Sequence, residues 1–206
     1  MQIIEKYFPS LSTNQKNQIV GLHDLYIFWN DKINLVSRKD IDNLYERHIL
    51  HSMSIAKYFH FLPGTRIADV GTGGGLPGLP LSILLPDARF TLVDSTRKKI
   101  RVVEDIVSKL ALHNVRPMAV RFESISEQFD YITGRGVTTV PDFARLVSLK
   151  ISRDSRNEKR NGIIYLKGGD FYGEIAQYKN KVRIFEIREL FSEEYFSTKK
   201  IVYLPF

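Results

Sequence analysis

The segment Arg66 to Gly78, R-I-A-D-V-G-T-G-G-G-L-P-G, constrains the fold of this chain more than any other. A short apolar run holding one carboxylate opens into a loop with glycine at 71, 73, 74, 75 and 78, so the side chains that would keep a ligand away from backbone are absent. A buried strand that ends in such a loop begins an α/β dinucleotide-type unit, in which a second strand supplies a carboxylate to a ribose roughly twenty residues later. Asp94, closing the apolar run F-T-L-V-D, stands at about that distance. Together the two features describe a nucleoside cofactor site.

Three readings of the loop stay open on these residues: a nicotinamide dinucleotide, S-adenosylmethionine, or a purely structural glycine turn. From Gly73 the loop satisfies G-x-G-x-x-G, as a dinucleotide site would. Asp69 weighs against that, because a carboxylate two residues before Gly71 would meet a pyrophosphate at close range. A sulfonium and an ammonium suit it better, and the ribose of S-adenosylmethionine offers hydroxyls for Asp94 to accept. The methyl donor is the favoured cofactor.

At 206 residues and 43% hydrophobic, the chain is long enough for one α/β domain with a small appendage. It has no cysteine, which excludes disulfides, thiolate metal sites and cysteine nucleophiles. No leader-like or membrane-spanning apolar run is visible, so a cytoplasmic protein is expected. Thirty Lys plus Arg against 23 Asp plus Glu give a net charge of +7, which suits a phosphate-rich partner. The basic residues cluster in S-T-R-K-K-I-R (Ser95 to Arg101) and S-R-D-S-R-N-E-K-R (Ser152 to Arg160). The first follows Asp94 directly and supplies Arg97, Lys98, Lys99 and Arg101 as RNA-binding candidates, with a solvated helix face as the plain alternative. The second reads as a flexible surface loop.

Apolar spacing predicts amphipathic helices over Leu11 to Asn30, begun by Ser12 or Thr13, and over Asp40 to Phe59. After Pro63-Gly64 strands and helices alternate. Strands are expected at Ile67 to Val70, Phe90 to Val93, Pro117 to Phe122, Tyr131 to Thr133, Ile163 to Leu166, Val182 to Ile187 and Ile201 to Leu204. Helices are expected at Pro77 to Leu85, Thr96 to Leu112, Val140 to Ile151 and Phe171 to Tyr178. This is a doubly wound, mostly parallel α/β sheet with an N-terminal helical extension: residues 1–62 pack on a core formed by residues 63–206 as one folding unit. Ligands of such sheets sit beyond the carboxyl ends of the strands, where Asp69, Asp94, Glu123 and Arg135 fall. Glu123 is placed for an adenine amine and Phe122 to cover the ring, with a surface glutamate and a core phenylalanine as the alternative.

Five motifs then occur in one order: W-N-D-K-I-N-L-V-S-R-K-D (Trp29 to Asp40), R-H-I-L-H-S (Arg47 to Ser52), D-V-G-T-G-G-G-L-P-G-L-P-L-S-I (Asp69 to Ile83), L-V-D-S (Leu92 to Ser95) and Y-L-K-G-G (Tyr165 to Gly169). Over roughly Leu11 to Gly169 the chain resembles the bacterial small-subunit ribosomal RNA guanine-N7 methyltransferases, the glucose-inhibited division protein B family. The resemblance implies a class I, Rossmann-like methyltransferase that moves methyl from S-adenosylmethionine to N7 of one guanine in 16S rRNA. It implies cofactor contacts at Gly71 and Leu76 of the loop, at Phe122 and Glu123, and at Arg135; Asp69, Gly73, Gly75 and Asp94 join them from the loop reading. The expected partner is 16S rRNA or the small ribosomal subunit, met by a monomer without membrane or DNA partners. The chain departs from the family's R-H-I-L-D-S at His51, and Gly134-Arg135-Gly136-Val137 replaces S-R-A-F, keeping the guanidinium on a looser backbone. The polar stretch Ser152 to Asn161 looks longer than in many relatives.

Guanine N7 carries an in-plane lone pair and no proton, so methylation there needs alignment and no general base. No catalytic base is therefore assigned; Arg135, Arg47 and Lys167 are candidates for positioning, Lys167 also for RNA contact and Arg135 with a structural ion pair as its alternative. Helical spacing puts Arg47 and His51 on one face, with His48 turned toward the apolar stripe. Two histidines three apart are a weak metal signature, and no metal is expected. Trp29, Asn30 and Asn34-Leu35 read as core anchoring and local hydrogen bonding. A dehydrogenase is disfavoured by Asp69, a noncatalytic RNA-binding module would leave the glycine loop and Asp94 without purpose, and a methyltransferase of this fold with another acceptor stays as the alternative.

Overall fold

A computed structural model describes residues 1–37 and 40–206; Arg38 and Lys39, within the Trp29 to Asp40 motif, lie outside the described residues. Helix α1 (Gln2–Tyr7) is followed by α2 (Thr13–Asn30). The start of α2 is fixed by a capping box: the Ser12 hydroxyl accepts the Gln15 N–H while the Gln15 side chain accepts the Ser12 N–H. The second helical stretch, expected unbroken over Asp40 to Phe59, is segmented. A 3₁₀ turn at Ile41–Asn43 leads to a π-helical stretch at Tyr45–Leu50, then to α3 (His51–Met53) and α4 (Ile55–Tyr58). Serine hydroxyls explain part of this, because Ser52 donates to the His48 carbonyl and Ser54 to the His51 carbonyl, each at 2.6 Å, in competition with the regular helical ladder.

Seven strands form one sheet: β1 (Arg66–Val70), β2 (Arg89–Val93), β3 (Val115–Met118), β4 (Tyr131–Arg135), β5 (Gly162–Gly168), β6 (Arg183–Glu186) and β7 (Lys199–Pro205). Their order is β3-β2-β1-β4-β5-β7-β6, parallel from β3 through β5, with β7 antiparallel to both of its neighbours. The helices between strands are α5 (Gly78–Leu84), α6 (Arg97–Lys109), α7 (Val140–Val147) and α8 (Tyr172–Ile175). Alternation along the strands divides the interior in two. Ile67, Phe90, Leu92, Ile164 and Tyr203 share a core with Ile4, Leu22 and Tyr26 of the first helices and with Val103 of α6. Ala68, Val70, Ile132, Ile163 and Tyr165 face Phe143 and Val147 of α7 and Ile175 of α8. The doubly wound α/β class is therefore the observed one.

Two local expectations are corrected. The third strand stops at Met118, and Phe122 instead enters a 3₁₀ turn (Phe122–Ser124) that buries its ring beside Phe129. The stretch Ser152 to Arg160 is no loose loop. The Asn157 side-chain oxygen accepts the Leu62 N–H and the Thr65 hydroxyl, and the carbonyls of Lys159 and Arg160 accept the hydroxyls of Tyr131 and Tyr203, each at 2.5 Å. It enters β5 from the amino end, so its charges lie at the end of the sheet away from the glycine loop. Among the described residues, no helix is long and apolar enough to cross a membrane.

Candidate functional site

The connection after β1 passes to α5 on one face of the sheet and that after β4 to α7 on the other, so the chain parts between these neighbouring strands and leaves a crevice at their carboxyl ends. A cavity of about 250 Å³ opens there, with Gly71, Asp94, Phe122, Glu123 and Val137 in its walls. Larger crevices of 560 and 510 Å³ lie at the amino ends of the strands beside Asn114 and contain none of the glycine-loop residues.

The glycines of the loop act for different reasons. Gly71 has φ +69°, and a Cβ there would lie 2.8 Å from Val137 Cγ2. It therefore meets both the conformational requirement and the close approach of the β4 loop. Gly75, at φ +102°, would place a Cβ 2.3 Å from Leu79 Cδ1, so its small size lets the first turn of α5 pack down. Asp94 braces the loop from β2: one carboxylate oxygen accepts the Gly73 N–H at 3.0 Å and the other the Thr96 N–H at 2.8 Å. It is half-buried, with lone pairs remaining toward the cavity.

Asp69 is wholly buried. Its Oδ2 accepts the Thr72 hydroxyl at 2.6 Å and the Gly78 N–H at 2.8 Å, while Oδ1 has no partner. Burial pushes this carboxyl up to about 6 despite those bonds and the charge of Arg135. The sequence reading put Asp69 against a cationic ligand. The structure sets it behind the loop, where it joins β1 to the start of α5; Gly75 and Leu76 are buried there too.

Arg135, at the end of β4, is enclosed beneath the segmented helical layer. It donates to His48 Nδ1 at 3.0 Å and to the Arg47 carbonyl at 3.5 Å, and among the described residues it has no carboxylate partner. Because the guanidinium can only donate, His48 Nδ1 must be the unprotonated nitrogen; burial, reinforced by the Arg135 charge, pushes His48 down to about 4. His51 is buried against the edges of Tyr195 and Phe196 with neither ring nitrogen bonded, and burial lowers its pKa well below the ordinary value. The π-helical turns thus separate the three side chains: Arg47 pairs with Asp40 at 2.6 Å, His48 meets Arg135, and His51 enters the core. Gly134 is not loosened backbone, since a Cβ there would meet the Phe143 ring at 2.8 Å and Tyr165 at 3.1 Å.

Gly71, Asp94, Phe122 and Glu123 come together in the cavity wall; Phe122 is 3% exposed, and Glu123 is open to solvent. Arg97, Lys98 and Arg101 are exposed on α6 and Lys99 is half-buried. Lys167 lies apart, its ammonium committed to Glu174 at 3.0 Å, and Glu174 also accepts the Val140 N–H that opens α7. Sequence reasoning missed two tyrosines that hold the loops. Tyr26 donates to the Gly74 carbonyl at 2.7 Å, and the Tyr165 hydroxyl accepts the Val137 and Thr138 N–H groups while donating to the Thr138 carbonyl. Their signal was a phenol within a buried apolar pattern, which has to find a polar partner. Asn30 and Trp29 anchor as read: Asn30 accepts the Leu35 and Val36 N–H groups, and Trp29 donates to Asp105 at 2.8 Å.

Comparison with known proteins agrees with this arrangement. The chain is 50% identical over 205 residues to ribosomal RNA small subunit methyltransferase G of Cytophaga hutchinsonii, covering 100% of this chain and 99% of that protein. It is 47% identical to the protein of the same name from Bacteroides thetaiotaomicron, with 98% of each covered. Among solved structures, magnesium protoporphyrin IX methyltransferase from Synechocystis with bound SAM superposes with a TM-score of 0.57 at 14% identity, covering 100% of this chain and 96% of that one. A SAM-dependent methyltransferase from Aquifex aeolicus gives the same TM-score at 17% identity over 82% of this chain and 98% of that one, and both show the shared fold. The family model of rRNA small subunit methyltransferase G matches residues 15–202. With the glycine loop and Asp94 at the sheet's switch point and near-complete coverage by those relatives, the chain belongs to the rRNA small subunit methyltransferase G family.

Proposed function

We propose that this protein transfers a methyl group from S-adenosylmethionine to N7 of a guanine in the 16S rRNA of the small ribosomal subunit. The observation that carries the reading is the Gly71, Asp94, Phe122 and Glu123 cavity at the switch point of a sheet whose chain matches this family nearly end to end. The residues fit the cofactor. Asp94 is held by two backbone N–H groups with acceptor capacity left for ribose hydroxyls, Phe122 offers an apolar wall, Glu123 an acceptor for an exocyclic amine, and Arg135 a cation without a carboxylate partner among the described residues. Asp69 Oδ1 leaves one buried negative centre behind Gly71. S-adenosylmethionine, when bound, supplies an electrophilic methyl on a cationic sulfur.

The protein's own contribution is alignment. Asp94, Tyr26 and Tyr165 fix the loops from β1 and β4, while Arg135, oriented by His48 and the Arg47 carbonyl, sits at the end of β4, two residues before the cavity-lining Val137. Arg97, Lys98, Lys99 and Arg101 present cations beside the cleft to the phosphate backbone of the RNA. Lys167 contributes by holding Glu174 against the start of α7. On this reading residues 1–62 and 63–206 act as one unit, a cytoplasmic monomer. The test is methyl transfer from labelled S-adenosylmethionine to unmodified small subunits and to naked 16S rRNA, with mapping of N7-methylguanine. One mapped guanine, lost in a folded Asp94→Ala protein, is the expected result; cofactor binding without transfer to either RNA would redirect the reading to another acceptor.

A further inference from the structure

Helix α6 starts beside Asp94 and carries Arg97, Arg101, Asp105 and Lys109 at successive four-residue steps, so these side chains follow one side of the helix for about 18 Å. Arg97, Arg101 and Lys109 are exposed; among the described residues, neither arginine has an ion-pair partner. Toward its far end the row reaches the last turns of α2. Phe28 is there 46% exposed and Ile27 42% exposed. The Phe28 ring stands edge to face with Trp29, at 5.5 Å and 82°, and Trp29 is fixed through its indole N–H to Asp105. The Lys32 ammonium lies 3.6 Å from the Phe28 centroid and that of Lys109 at 5.5 Å.

A half-exposed aromatic ring flanked by two lysines, at the end of a cationic row, combines the two elements of a single-strand platform: a π face for a base and cations for the flanking phosphates. We propose that single-stranded RNA flanking the target guanine leaves the cofactor cleft along Arg97 and Arg101 and stacks a base on Phe28. Lys32 swings off the ring to meet a phosphate as the base arrives. Asp105 does not interrupt the track, because Lys109 pairs with it at 2.8 Å, Lys32 adds its charge, and the carboxylate serves to hold Trp29. The proposal rests on the rRNA methyltransferase reading and specifies how that substrate is held.

The test uses the full chain with Phe28→Ala, Phe28→Trp and the pair Lys32→Gln with Lys109→Gln. Binding is measured to naked 16S rRNA and to assembled small subunits, S-adenosylmethionine affinity by calorimetry, and methyl transfer as a function of RNA concentration. Phe28→Ala should weaken naked-rRNA binding and raise the KM for RNA by about tenfold, with cofactor affinity and kcat at saturating RNA held, and Phe28→Trp should restore both. The lysine pair should instead reduce the salt dependence of RNA binding. Wild-type RNA affinity in Phe28→Ala would overturn the proposal. So would a loss confined to assembled subunits, which would assign the patch to a ribosomal protein. Absence of transfer by the unmodified protein would overturn the functional reading itself, a result separable from any effect of Phe28.

Discussion

Asp69 is a wholly buried carboxylate whose Oδ2 accepts the Thr72 hydroxyl and the Gly78 N–H. Its position before the glycines is a local pattern, but its burial depends on α5 turning back so that the Gly78 N–H reaches the carboxylate. The consequence is a pH dependence with a definite sign. A folded pKa near 6 against an ordinary 3.8 means that the native state binds more protons than the unfolded chain between those values. The contribution of Asp69 to stability therefore falls as pH rises through that window, by an amount of about 2–3 kcal/mol. A cationic ligand nearby favours the ionised form, so S-adenosylmethionine should bind several times more weakly as pH drops from 7.5 through about 6. Calorimetric titration of Asp69→Asn should give weaker binding at pH 7.5 and a flatter profile; a profile as steep as that of the unmodified protein would exclude Asp69 as the linked group.

At the scale of elements, α2 is the support on which the glycine loop rests. Tyr26 reaches Gly74 from within the helix, and Asn30 at its end gathers Leu35, whose side chain closes on Gly74. Tyr26→Phe keeps the ring and removes the hydroxyl, leaving the Gly74 carbonyl without that donor in a buried setting, at a cost of about 1–2 kcal/mol. The thermal midpoint should fall by several degrees and cofactor affinity should drop while the fold persists, as circular dichroism and calorimetry would show. All seven strands were legible as apolar runs bounded by turns, and the third was displaced because Phe122 is as apolar as a strand residue yet packs on Phe129 after the strand has ended. The segment Asp40 to Phe59 was legible as helical but not as segmented, since serine-to-carbonyl bonds and π-helical turns leave the apolar spacing nearly intact.

At the scale of the molecule, the helical layer and the sheet meet over two imidazoles, His51 buried and His48 half-buried. His48 and His51 are held neutral by burial, with folded pKa values below 6.5, so the unfolded chain binds more protons on the acid side. Stability from His48 is present above about pH 6.5 and is lost as pH falls toward about 4, opposite in sign to Asp69, and His51, lowered by burial, acts in the same direction as His48. The thermal midpoint should therefore decline over that range, and His51→Leu should flatten the decline; an unchanged slope would exclude His51 as a contributor. The sequence by itself determined the seven strands, the helices that alternate with them, the glycine loop, Asp94 at the end of β2 and the basic start of α6, because each is written in neighbouring residues through periodicity, backbone freedom or charge. Tertiary structure alone decided that Asp69 is enclosed, that Lys167 is taken by Glu174, that Arg135 rests on His48, and that the Ser152 to Arg160 charges lie at the far end of the sheet. Those outcomes depend on which distant segments share a face and which end of a strand a loop enters, and strand order and packing fix both.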